Sequence, residues 1–286
     1  MFNLCDIGEV KELLLKYDFK FSKSLGQNFI INSEICPKMA EMCSENCKSG
    51  VLEIGPGIGV LTVELAKKFK KVISIEIDKN LIPIINETTS YLNNVEIINN
   101  DILKLNLENI VKGKFYDCDE VSVCANLPYY ITSEIIMYIL ENNPGFSSVT
   151  VMVQKEAAER ICAEPGTRQS GAISLAVRYY GTPKILFNVG RNNFIPSPNV
   201  DSCVIRIEMN DKNKKAIVDS KAFFRVVRAA YSKRRKNLLN SLSMGIGIDK
   251  NEIKKILNKC SIDFNLRAEQ LKFEDFTSIS NAIQLK

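Results

Sequence analysis

Between Val51 and Gln154 the chain changes period repeatedly, and this alternation constrains its fold more than any other feature. "VLEI", "VISIEI", "VEIIN", "EVSVCAN" and "SVTVMVQ" are short apolar runs with strand character, while 61–69, 81–92 and 132–140 carry apolar residues at helical spacing. Strands separated by helix-length connections form parallel βαβ units. Helices are predicted at 155–163 and 172–180. Two late strands, 184–189 and 200–208, follow too closely for a crossover helix, so the sheet should end antiparallel. The expected fold class is α/β, a doubly wound and mostly parallel sheet with an antiparallel final strand. Ligand sites belong at the carboxyl ends of its strands.

Both ends of the chain differ from this middle. Val10, Leu13, Leu14 and Tyr17 mark an amphipathic helix reaching to about Phe21, and a second helix is predicted over 34–47. Between them the polar segment "FSKSLGQNFIIN" closes around an apolar triplet at 29–31. After "NDKNKK" strand signals vanish, and 223–242, 250–259 and 273–283 are helical in pattern. A division into 1–209 and 210–286 results. Charge separates the same way: residues 211–259 hold fourteen Lys or Arg against four acids, net +10, so the remainder carries −5 of the total +5. Clustered arginines in a basic helical segment suit a polyanion better than a merely solvated face.

Composition removes several chemistries. The chain has no histidine, so Ser-His, Cys-His and His-metal mechanisms are out of reach. Nine cysteines cannot all pair, and Cys36, Cys43 and Cys47 lack a CxxC pair, so these thiols are expected as small core residues with no metal site. No apolar stretch is long enough to cross a bilayer, and 1–17 is acidic with no cleavable apolar core. A cytoplasmic protein is expected.

"LEIGPGIGVLT" sets Gly55, Gly57 and Gly59 between the first parallel strand and a helix, where bare backbone can approach a ligand. Val60 and Leu61 stand where a dinucleotide fingerprint needs its third glycine, which disfavours a nicotinamide dehydrogenase. Glu76 ends the next strand, positioned to accept ribose hydroxyls, and Asn99, Asn100 and Asp101 end the third. Three such features in register point to an adenosine-containing cofactor. On the following strand "CANLPYYITSEI" halts an apolar run at Asn126 and turns through Leu127 and Pro128 to Tyr129 and Tyr130.

Together "SLGQNFI", "EIGPGIGVLT", "EIDKNL", "NDIL", "NLPYYIT", "MVQKEAAERI", "FIPSPNVDS", "YSKRRKNLLNSL" and "LRAEQL" resemble the motifs of the KsgA-type ribosomal RNA adenine dimethyltransferases over nearly the whole chain. The NLPY and FxPxPxVxS motifs are specific, whereas the glycine motif is shared by many methyltransferases. The resemblance implies a Rossmann-like class I methyltransferase domain over 1–209, with an N-terminal segment covering S-adenosyl-L-methionine, and a basic helical RNA-binding domain over 210–286. It implies dimethylation of N6 on two adjacent adenosines in the 3′-terminal hairpin of 16S rRNA, within the small ribosomal subunit or its precursor, by a monomer. Cofactor positions would be Asn28, Ile30, Gly55, Gly57, Glu76, Asp101 and Asn126; Ile30 replaces a more usual Leu, and Tyr231 a more usual Phe.

The same resemblance assigns the transfer site. The Asn126 side-chain carbonyl and the Leu127 backbone carbonyl would accept hydrogen bonds from the adenine amine, restoring the lone pair that the ring delocalises. Pro128 would stiffen the turn. Tyr129 and Phe194 would be the two walls holding a flipped base; Tyr130, at a variable position, receives no role. For RNA, Arg225, Arg228, Ser232 and Arg235 recur at helical spacing, with Lys233, Arg234 and Lys236 beside them. The alternatives are an Erm-type methyltransferase of 23S rRNA and an RNA-binding assembly or transcription factor on the same fold. Erm-type chains more often read NIPY and lack the "SKRRKNLLNSL" helix, and intact Asn126, Glu76 and Asp101 argue against lost catalysis.

Overall fold

A computed structural model describes residues 2–22, 25–44, 46, 48–233 and 235–283; Cys47 and Arg234 lie outside the described residues. The chain forms two compact units. One takes Met1–Ala158 and Lys184–Met209, the other Glu159–Pro183 and Asn210–Lys286. This differs from a simple division at 209/210, and packing supplies the reason. Helix Ala172–Tyr180 buries Leu175 in one cluster with Phe223, Val226 and Phe276, and Tyr179 stacks on Phe223 at 5.8 Å between ring centroids.

The described strands are β1 (Phe29–Ile30), β2 (Gly50–Ile54), β3 (Lys71–Glu76), β4 (Val95–Asn99), β5 (Val121–Asn126), β6 (Phe146–Gln154), β7 (Gly181–Val189), β8 (Phe194–Ile195) and β9 (Ser202–Met209). Seven of these described strands form a sheet in the order β4-β3-β2-β5-β6-β9-β7. β2 lies parallel to β3 and β5, β3 to β4, and β5 to β6, while β9 runs antiparallel to β6. β2 is buried at every position and β5 at all but its last. Strands covered on both faces need unbroken apolar runs, which is why they stand out in the sequence. The chain leaves β2 toward β3 on one side and later returns to β5 on the other. Loops diverge at that point and leave a crevice above the carboxyl ends of β2 and β5.

Several elements depart from the sequence pattern. The N-terminal helix is Ile7–Lys16, capped by Asp6 and stopped before Asp18, whose φ of 46° is left-handed. The next spans Ile35–Cys43 and ends at an extended Ser44. A short helix at Leu107–Lys114, capped by Asn106, was not visible in the pattern because it buries one residue, Leu107. The stretch 223–242 is two helices, Ser220–Tyr231 and Leu238–Ile246. Asn237 starts the second by accepting from the Asn240 N–H at 3.1 Å. The pair crosses so tightly that a Cβ on Gly245 would lie 2.5 Å from the Ala229 Cβ. β1 and β8, also unforeseen, form a separate antiparallel pair with Ile30 opposite Phe194 and Phe29 opposite Ile195.

Candidate active site

An open cleft occupies the crevice at the ends of β2, β3 and β5. Three segments line it: Leu25–Ile30 with β1, the glycine turn from Gly55, and the corner from Asn126 to Tyr129, with Glu76 at its side. The structure thus brings together Asn28, Ile30, Gly55, Gly57, Glu76, Asn126, Leu127, Pro128 and Tyr129, all named from the sequence.

Glu76 ends β3 with only 4% of its surface exposed. One carboxylate oxygen accepts the Gly57 N–H at 3.2 Å and the other the Asp78 N–H at 2.8 Å. Burial pushes its carboxyl up to about 7, against those two hydrogen bonds and with help from the negative charge of Asp78. Each oxygen keeps a lone pair for a hydroxyl donor. Gly57, at φ 62°, lies under the Phe29 ring, and a Cβ there would stand 3.1 Å from it, so only glycine leaves that turn undisturbed.

The Asn126 amide is oriented by its own hydrogen bond. Nδ2 donates to the Asn28 carbonyl at 3.2 Å, and Asn28 Nδ2 donates to the Gly26 carbonyl at 2.9 Å. Asn126 Oδ1 therefore faces away from its donor nitrogen and accepts no hydrogen bond among the described residues. Leu127 is anchored by its N–H, which donates to the Met152 carbonyl on β6 at 3.1 Å. Its own carbonyl accepts none among the described residues, whereas the Pro128 carbonyl is engaged by the Ile131 N–H and Thr132 Oγ1. Two adjacent carbonyl acceptors are left at the cleft.

Two expected site residues are placed elsewhere. Phe194, expected as the second wall around a flipped base, is 3% exposed and belongs to the core cluster with Phe29 and Ile30, because the β1–β8 pairing turns it inward. Asp101 does not line the cleft; it caps the turn at Ile102–Lys104, accepting from the Leu103 N–H at 3.1 Å with Lys104 at 3.6 Å. Tyr130 is exposed, its ring against Gly26. Gln27, not expected at the site, accepts from the Ser22 N–H at 2.8 Å and donates to Asp78 Oδ2 at 2.7 Å, fastening the N-terminal segment beside Glu76. Glu53, also not expected, is fully buried on β2 and accepts from Thr62 Oγ1 at 2.7 Å and Ser74 Oγ at 2.6 Å; burial raises its carboxyl to about 7. Glu53 had a signal, an acid inside an apolar strand.

In the second unit, Arg228, Lys233, Arg235 and Lys236 are exposed. The helical face expected to carry them ends at Tyr231, so Arg235 lies beyond it. Arg225 is occupied, its guanidinium donating to the Ile246 carbonyl at 2.6 Å, where it caps the neighbouring helix. Among the described residues no group of three or more His, Cys, Asp or Glu could hold a metal ion, and no helix is long and apolar enough to cross a membrane.

Known proteins resemble the chain along nearly its whole length. Residues 18–285 match the family model described as ribosomal RNA adenine dimethylase. The chain is 46% identical to ribosomal RNA small subunit methyltransferase A of Clostridioides difficile (strain 630), covering all of this chain and 99% of that one. A dimethyladenosine transferase from Plasmodium falciparum superposes with a TM-score of 0.71 at 26% identity, over 87% of this chain and 95% of that one. The 23S rRNA methyltransferase ErmE shares the fold, with a TM-score of 0.66 at 23% identity over 89% of this chain and 98% of its own. With a model match over nearly its whole length and a relative at 46% identity end to end, the chain belongs to the ribosomal RNA adenine dimethylase family.

Proposed function

We propose that this protein transfers methyl groups from S-adenosyl-L-methionine to N6 of two adjacent adenosines in the 3′-terminal hairpin of 16S rRNA, in the small ribosomal subunit or its precursor. The observation that carries the reading is the pair of unengaged acceptors at the corner, Asn126 Oδ1 and the Leu127 carbonyl. An adenine amine offers two N–H donors. Accepting both pulls the nitrogen toward tetrahedral geometry and returns its lone pair, so no strong base is required, in keeping with a chain that lacks histidine.

The cleft fits the cofactor. Glu76 keeps a lone pair on each oxygen for the two ribose hydroxyls, and Gly57 presents bare backbone beside it. When bound, the cofactor supplies an electrophilic methyl group on a positively charged sulfur. The chain's own groups hold the amine, keep the N-terminal segment closed through Gln27 and Asn28, and present the Tyr129 ring to the base. Exposed bases at 228, 233, 235 and 236 give the second unit a phosphate-binding surface. We place the reaction in the cytoplasm and assign it to a monomer. The end-to-end likeness to a small-subunit enzyme favours this substrate over 23S rRNA.

The test is Asn126→Ala. It should retain binding to small subunits and lose at least 100-fold in methyl transfer, the scale of removing one preorganised polar group at a reacting centre. Transfer at the normal rate would remove Asn126 from the reaction.

A further inference from the structure

Tyr129 is held at both ends. Its backbone belongs to the corner that follows β5, and its phenol oxygen lies 2.5 Å from Oγ of Ser202, a fully buried residue that opens β9. Rotation about the Cα–Cβ bond would carry the hydroxyl off Ser202, so the bond fixes that torsion. The phenol O–H stays in the ring plane because its oxygen conjugates with the ring, so the partner's position also favours one tilt of the ring. Tyr129 lines the cleft while its hydroxyl is withdrawn from it.

One strand locates both ends of this brace. Met152 on β6 receives the Leu127 N–H at 3.1 Å, and Gln154, two residues on, is the partner of Ser202 across the antiparallel β6–β9 ladder. The Lys155 N–H donates to the Asp201 carbonyl at 3.0 Å and extends that ladder, while Asp201 Oδ1 accepts from the Arg191 N–H at 3.0 Å. The corner and the hydroxyl that steadies its tyrosine thus share a reference in the sheet.

We propose that Ser202 is a positioning residue for the transfer site, holding the Tyr129 ring so that its cleft-facing surface is set in advance for an unpaired purine base. The proposal rests on the methyltransferase reading above. Stacking must compensate for withdrawing the base from its RNA stack. A ring free to swing would lose part of that gain in being ordered. The last position of "FIPSPNVDS" thereby acquires a role toward "NLPY", 73 residues away.

Wild type, Ser202→Ala, Tyr129→Phe and the double variant are compared in single-turnover transfer to unmodified small subunits, with S-adenosylhomocysteine affinity and melting temperature as controls. Each single variant should slow transfer about tenfold and change S-adenosylhomocysteine affinity less than twofold. The double variant should be no slower than Tyr129→Phe, because both changes remove one hydrogen bond. Multiplicative losses overturn the proposal, as does normal transfer by either single variant, or a loss matched by an equal fall in S-adenosylhomocysteine affinity. If Ser202→Ala does not fold, Tyr129→Phe decides: slower transfer at unchanged melting supports the brace, and unchanged transfer removes it. A wild type that methylates no adenine removes the methyltransferase reading and the brace with it; an active wild type with an unaffected Ser202→Ala removes the brace alone.

Discussion

Cofactor affinity should depend on pH through Glu76. Its carboxyl is pushed up to about 7, first by burial and then by the charge of Asp78, while the Gly57 and Asp78 N–H groups limit the rise. Hydroxyl donors from a ribose favour the ionised form, so binding should be strong above pH 7 and weaken as pH falls through it. With a pKa of about 7 the ionised fraction changes from about 1/11 at pH 6 to about 10/11 at pH 8, so the dissociation constant should rise about tenfold from pH 8 to pH 6. Titration calorimetry with S-adenosylhomocysteine across that range reads the effect directly. Glu76→Gln places an amide N–H₂ against one of the backbone donors at 57 and 78. It should bind about 10- to 100-fold more weakly at pH 8 and lose most of the pH dependence. A flat profile in the wild type, or the wild-type slope persisting in Glu76→Gln, would exclude Glu76 as the titrating cofactor ligand.

Two other perturbations separate structural from functional charges. Glu53 has a folded pKa of about 7 against an ordinary 4.5, so the folded state retains a proton that the unfolded state releases, and stability falls as pH rises between those values. Glu53→Gln removes that loss, and urea unfolding should show it gaining roughly 2–3 kcal/mol relative to wild type between pH 5 and pH 8; a pH-independent difference would contradict the assignment. On the basic unit, Arg228→Ala with Arg235→Ala should weaken small-subunit binding and reduce its salt slope by about 2, while cofactor affinity holds. Arg225→Ala should instead cost about 1–2 kcal/mol of stability through the lost bond to the Ile246 carbonyl. Unchanged salt dependence in the double variant would exclude that surface from RNA binding.

How much of this was legible in the sequence depended on how local each signal was. β2 and β5 announce themselves because both faces are covered, and Gly57, Glu76 and Asn126 because they sit at strand ends. The pairing of β1 with β8 is a register between segments more than 160 residues apart, so nothing near Phe194 shows that its ring turns inward. Gln27 and Ser202 are short polar residues whose partners lie 51 and 73 residues away, and neither carries a local pattern. Apolar spacing runs on through Leu238 and Leu239, which hid the break that Asn237 caps. Arg225 and Arg228 look alike in sequence, and only the proximity of the Ile246 carbonyl separates them.

Methyl transfer to two adjacent adenosines of small-subunit RNA requires the two free carbonyl acceptors of the Asn126–Leu127 corner. The most direct measurement incubates the protein with S-adenosylmethionine and small subunits lacking the modification, then maps methylated nucleotides by primer extension, with large subunits in parallel. Stops are expected at two adjacent adenosines in the 3′-terminal hairpin of the small-subunit RNA, and none with Asn126→Ala. Methylation confined to large-subunit RNA would exclude this substrate, and the same stops with Asn126→Ala would exclude the corner from the reaction.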